Sequence, residues 1–150
     1  MPVVARAVLA AGVVAADQAL KALVAHLLPV GASVWVIPGV LALTHVRNPG
    51  VAFSLLRDVP AILPAALTAA LLGVLFGGAR RLPRTAQGGL AVLCGGAVGN
   101  LVDRVRIGAV VDYVDLRVWP VFNLADAAVT AGAVTVLLAL AVPPLARGGR

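Results

Sequence analysis

The sequence predicts an all-α integral membrane protein. It has four transmembrane helices, a small outward-facing β-hairpin and surface-loop element, and both termini in the cytoplasm. Three observations carry this expectation. Of the 150 residues 61% are hydrophobic and only 12% charged, and the mean hydropathy is +1.04. A soluble domain carries about 25% charged residues, so this chain cannot cover a water-facing surface. Disorder is excluded by the same composition, because disordered chains are poor in apolar residues. Finally, long uncharged runs recur at the length that a helix needs to cross about 30 Å of hydrocarbon.

The elements follow from those runs. Val59–Ala79, Thr85–Val102 and Ala127–Ala146 are uncharged over 21, 18 and 20 residues. The first span, about 7–28, contains Asp17 and Lys21. These stand at i and i+4 on one helix face and can pair, which makes them tolerable inside a bilayer and suits a retained helix rather than a cleaved leader. The spans are placed at about 7–28, 59–79, 85–102 and 123–145 of one membrane-embedded domain, 1–150. Between the first two, Val34–Ile37, Pro38-Gly39 and Val40–Val46 form a short apolar hairpin on the membrane surface. Val51–Leu56 suits a short interfacial helix. A second outward loop is centred on 103–122. Gly73/Gly77 and Gly95/Gly99 are small-xxx-small pairs that let helices approach closely.

Charge sets the orientation. The net charge is +6 and the six acids are all Asp. Arg6, Arg80, Arg81, Arg84, Arg147 and Arg150 lie in stretches without an acid. With four spans these arginines fall on one side, which the positive-inside rule assigns to the cytoplasm. The basic balance therefore reflects topology, and no nucleic-acid partner is expected. Trp35 and Trp119 are expected as interfacial anchors. Cys94, alone in an apolar run, is expected as a small packed hydrophobe. His26 and His45 have no third ligand in helical register, so neither a metal site nor a cofactor is expected.

The outward half holds every carboxylate. Asn100 and Asp103 close the third span, Asn123 and Asp126 open the fourth, and each pair is spaced i, i+3 on one helix face. A carboxylate as deep as Asp126 is stripped of water, and two such groups side by side cannot comfortably ionise together. Two Asp sharing one proton can work as acid and base: one takes a proton from water, the other donates to the carbonyl oxygen or leaving nitrogen. The same acids also suit a small transporter or proton relay, or a non-catalytic scaffold that binds lipidated peptides. Asp115 is expected to pair with Arg117 in a loop. Asn48 suits either a turn before Pro49 or a substrate contact.

Five motifs, in order over about residues 5–140, resemble the lipoprotein signal peptidase (signal peptidase II) family. They are Asp17-Gln18-x-x-Lys21, Asn48-Pro49-Gly50-Val51-Ala52-Phe53, Gly99-Asn100-x-x-Asp103-Arg104, Gly108-x-Val110-Val111-Asp112 and Phe122-Asn123-x-Ala125-Asp126. The resemblance implies an intramembrane aspartyl endopeptidase of the bacterial cytoplasmic membrane. Such an enzyme removes signal peptides from diacylglyceryl-modified prolipoproteins, cutting just before the lipid-modified cysteine near the outer face. It implies Asp112 and Asp126 as the catalytic dyad. It places Asn48, Asn100, Arg104 and Asn123 around the substrate backbone, and Asp17, Lys21 and Asp103 as structural polar residues. It also implies sensitivity to globomycin, lipid-modified prolipoproteins and membrane lipids as partners, and a monomer.

Overall fold

The computed structural model describes residues 1–49 and 62–141. The expected interfacial helix at 51–56, the start of the expected second span, Arg57, Asp58, Arg147 and Arg150 lie outside the described residues.

Three helices are long and apolar enough to cross a membrane: α1 (Val3–Leu27), α3 (Arg84–Ile107) and α4 (Leu124–Ala141). They match the first, third and fourth expected spans within a few residues. The described part of the second is α2 (Ile62–Gly73), which continues through a π-helical turn at Val74–Gly78 and a 3-10 turn at Ala79–Arg81.

α3 is the central helix, with α1, α2 and α4 packed around it. Glycines make that possible, because each lacks the Cβ that would hold a neighbouring backbone away. A Cβ on Gly95 would stand 2.7 Å from the Ala10 carbonyl oxygen and from Val13 Cβ of α1. One on Gly99 would meet Asp17 Oδ2 at 2.6 Å, and one on Gly96 would strike the Ala125 carbonyl of α4. Gly95/Gly99 is thus a close-approach pair. Gly73/Gly77 is not, since nothing lies within 4 Å of a Cβ at either position. The spacing is the same, but among the described residues neither glycine has a neighbour close enough to meet a Cβ. Cys94 is fully buried in the adjoining core with Leu75, Ala79, Leu90 and Ala91.

The sheet is larger than the sequence suggested. The expected hairpin is present as β1 (Ser33–Ile37) and β2 (Leu41–Asn48), joined through Pro38-Gly39. Gly39 takes φ +76°, and the Val40 N–H donates to the Ile37 carbonyl at 3.0 Å. Pro followed by a positive-φ Gly suits a type II turn. Much of the expected second outward loop is instead the last turns of α3 and a third strand, β3 (Val110–Asp115). β3 pairs antiparallel with β2, giving the order β1-β2-β3. The change of direction is made at Gly108, whose φ of +70° ends α3 while its N–H donates to the Arg104 carbonyl at 3.1 Å. A left-handed residue at this place is the common way to end a helix, and Gly takes it without strain.

β1 is exposed along its whole length, Val34, Trp35, Val36 and Ile37 included. An apolar strand exposed on both faces marks an interaction surface. Asp115 pairs with Arg117 at 3.5 Å, at the end of β3 rather than in a loop, and the Arg117 guanidinium stacks over Trp35 at 4.3 Å.

The glycine contacts yield a first prediction. Gly95→Val forces α1 away from α3 and should cost about 1–3 kcal/mol, read as a lower Tm in detergent. Gly73→Ala, in open space, should leave Tm unchanged or slightly raise it.

Candidate active site

The site is built around the first turn of α4. A helix begins with N–H groups that have no intrahelical acceptor, and at a membrane boundary water cannot be relied upon to supply one. Here each of the first three is met by a side chain. Leu124 N–H donates to the Tyr113 hydroxyl at 3.2 Å, Ala125 N–H to Asp17 Oδ1 at 3.0 Å, and Asp126 N–H to Asn123 Oδ1 at 2.9 Å. The last bond has a reciprocal, in which Asn123 N–H donates to Asp126 Oδ2 at 3.3 Å. Asn123 and Asp126 therefore form a capping box. The i, i+3 spacing visible in the sequence is the spacing of that box.

The Asn123 side chain also reaches forward. Its Nδ2 donates to Asp112 Oδ1 at 2.7 Å and to Asn100 Oδ1 at 3.2 Å. Asp112 comes from the middle of β3 and is buried. Its other oxygen accepts from Asn48 Nδ2, at the end of β2, at 3.0 Å. Asn100, on α3, donates its Nδ2 to Asp126 Oδ1 at 2.7 Å. Two aspartates from different elements thus share one partner, Asn123, while Asn48 holds Asp112 and Asn100 holds Asp126.

Behind them lies a buried ion cluster. Lys21 Nζ is 2.8 Å from Asp17 Oδ2, 3.0 Å from Asp103 Oδ2, and donates to Asn100 Oδ1 at 2.9 Å. Three acceptors use all three ammonium protons. The lysine contact also fixes which way the Asn100 amide points, because the oxygen faces Lys21 and the NH₂ must face Asp126. Asp103 Oδ2 accepts the Val111 N–H at 3.1 Å, which ties the start of β3 to α3. Gln18 Nε2 donates to Asp103 Oδ1 at 2.9 Å and to the Gly99 carbonyl at 3.2 Å.

The two aspartates differ in environment. Asp112 is 2% exposed. Its burial, with help from the nearby Asp126 charge, pushes its pKa up to about 6, against the pull of the Asn48 and Asn123 donors and the Lys21 charge. Asp126 lines an apolar cavity of about 390 Å³ with Trp119, Phe122, Ala127, Thr130 and Ala131. One carboxylate is thus closed off while the other borders a space that an apolar chain can enter.

A sequence model of the family described as signal peptidase (SPase) II matches residues 9–142. The chain belongs to the signal peptidase II family. Its relatives include the lipoprotein signal peptidase of Pelotomaculum thermopropionicum, 43% identical over 135 residues and 89% of each chain. That of Desulforapulum autotrophicum is 41% identical over 133 residues, 81% of this chain and 82% of the relative. A solved bacterial membrane enzyme structure superimposes with a TM-score of 0.80 at 32% identity, covering 91% of this chain and 87% of the other. The five motifs on which the resemblance rested lie within the matched span.

The structure brings the residues marked out in this signal peptidase II sequence to one end of the bundle. Asp112 and Asp126 share Asn123, while Asp17, Lys21 and Asp103 form the cluster beneath. Asn48 is the last residue of β2 rather than a turn residue, and it faces Asp112. Arg104 is half-buried on α3, one turn beyond Asn100, and its Nη1 donates to the Asn100 carbonyl at 3.3 Å. Sequence reasoning missed two contributors. Gln18 lies inside the first motif, and its neighbour Asp17 was the signal. Tyr113 follows Asp112, and nothing in the sequence marks its hydroxyl as an acceptor for α4.

Two predictions follow from this geometry. Lys21→Met leaves Asp17 and Asp103 buried without their cation and should destabilise the fold by about 3–5 kcal/mol, seen as a large fall in Tm. The second concerns titration of Asp112, followed through its carboxyl ¹³C shift. Asp126→Asn removes a negative charge that favours the protonated form, so the Asp112 midpoint should fall from about 6. Asn48→Ala removes a donor that favours the ionised form, so the midpoint should rise.

Proposed function

We propose that this protein is an intramembrane aspartyl endopeptidase that removes signal peptides from diacylglyceryl-modified prolipoproteins, cutting just before the lipid-modified cysteine. Asp112 and Asp126 are the catalytic pair. The observation that carries this reading is their shared ligation: Asn123 donates from its side chain to Asp112 at 2.7 Å and from its backbone to Asp126 at 3.3 Å. Two carboxylates anchored to one residue can hold a single proton between them. One removes a proton from the attacking water, and the other donates to the carbonyl oxygen or the leaving nitrogen. Family membership supports the substrate class, since the relatives are named lipoprotein signal peptidases.

The surrounding residues have roles in the same reaction. Asn48, Asn100 and Asn123 present amides to a substrate backbone that lacks water partners at this depth, and they position the aspartates. Arg104 holds a substrate carbonyl or orients a carboxylate of the pair. Asp17, Lys21 and Asp103 are structural. Positions 1–150 form one membrane-embedded domain with four spans and both termini in the cytoplasm. The second span runs through α2, and the arginine distribution supports this orientation. The active site then lies near the outer face of the bacterial cytoplasmic membrane. The chain works as a monomer and needs no cofactor.

The test is cleavage of a purified diacylglyceryl-modified prolipoprotein, read as a gel shift. Wild type should cleave, and globomycin should stop it. Asp112→Asn and Asp126→Asn should each lower the rate by at least about 10²–10⁴-fold while Tm stays near wild type. Substantial cleavage by either purified variant sinks the dyad. Binding without turnover by folded wild type selects a non-catalytic scaffold instead.

A further inference from the structure

Away from Asp126, on the opposite side of the Lys21 cluster, lies a second cleft. It has a volume of about 160 Å³, and its lining includes Gln18, Lys21, Arg47, Asp103, Arg106 and Val111. Strand alternation explains why Arg47 is there. Asn48 faces Asp112, so its neighbour Arg47 points to the other face of β2, opposite Val111 in the β2–β3 register. Arg106 extends from the last turn of α3 and donates a long bond, 3.4 Å, to Gln18 Oε1. Both arginines are exposed, and among the described residues neither pairs with a carboxylate.

The charges around the cleft do not balance. Lys21, Arg47 and Arg106 carry three positive charges, and Asp17 and Asp103 carry two negative ones. Among the described residues, one arginine offsets the surplus carboxylate of the buried cluster, and the other is left over. Gln18 also lines a second, apolar groove of about 450 Å³, together with Ala10, Ala11, Val14, Ala15, Gly95 and Val98. Gln18 therefore borders both the cationic cleft and an apolar groove lined by α1 and α3.

We propose that the cleft and the groove, which meet at Gln18, together bind one anionic glycerophospholipid, from the leaflet that meets the sheet. Its phosphodiester lies between Arg47 and Arg106, and one acyl chain lies in the α1/α3 groove. Charge complementarity selects the anionic headgroup, since arginine is suited to phosphate oxygens. The groove is apolar over nearly all of its lining, so its occupant is an acyl chain rather than a soluble ion. Bound there, the lipid bridges β2 to α1 and α3, directly behind the Asn48–Asp112 hydrogen bond.

The test uses the purified full chain in micelles, doped with phosphatidylglycerol or with phosphatidylcholine of the same acyl chains. Phosphatidylglycerol should raise Tm by about 2–4 °C more than phosphatidylcholine does. Arg47→Gln/Arg106→Gln should abolish that difference. Inorganic phosphate alone should give no shift. Equal shifts from both lipids, persistence of the difference in the double variant, or a shift from phosphate alone would overturn the proposal. A second measurement places a photocrosslinker at Ala11→Cys in a Cys94→Ser background. A phospholipid adduct is expected, whereas an adduct with the signal helix of a prolipoprotein would reassign the groove to substrate.

Discussion

The structure depends on how α4 begins. A helix that starts at the edge of a bilayer exposes N–H groups where an unmet donor is costly, and here those donors recruit acceptors from three directions. Asp17 comes from α1, Tyr113 from β3, and Asn123 from the residue just before the helix. Meeting them fixes α1, β3 and α4 relative to one another. It also fixes Asp126, because the residue that closes the capping box is the one that lines the apolar cavity. Helix capping and positioning of the second aspartate are one arrangement.

The Lys21 cluster performs the same service from below. An ammonium held by two carboxylates and one amide oxygen is fully satisfied, and its remaining effect is directional. It sets the Asn100 amide, which in turn sets Asp126. Asp103 carries the order to the strand by accepting the Val111 N–H, one residue before Asp112. Lys21 and Asp103 do not line the cavity, yet through Asn100 and Val111 they help to place Asp126 and Asp112. The difference between the two carboxylates follows from this placement, because one is closed in by the sheet and the other is left bordering the cavity.

Much of this was legible in the sequence, for reasons that differ by element. Uncharged runs located α1, α3 and α4, because crossing hydrocarbon demands length and apolarity together. The pairs Asp17/Lys21, Asn100/Asp103 and Asn123/Asp126 were visible because helical periodicity puts i, i+3 and i, i+4 residues on one face. β3 was not visible. Its sequence, Val-Val-Asp-Tyr-Val-Asp, is buried at five of six positions, so it lacks the alternation of a half-wet strand, and its partner β2 lies more than sixty residues away in the chain. The glycine pairs show the same limit. Gly73/Gly77 and Gly95/Gly99 share a spacing, but only the packed bundle decides which pair meets a neighbour.

The long reach of these hydrogen bonds bears on how the protein is made. The Ala125 N–H that Asp17 accepts lies 108 residues further along, and Asn48 meets Asp112 across 64. The contacts made by Asn123, Leu124, Ala125 and Asp126 can close only once the start of the last helix has left the ribosome. During that wait α1 carries its own neutralising pair, Asp17 with Lys21 one turn later, so neither of these two charges enters the bilayer alone. A nascent chain that stops before Asn123 holds only one of the two aspartates. On the role proposed for Asp112 and Asp126, such a chain is inactive, because the order of elements supplies the second carboxylate last.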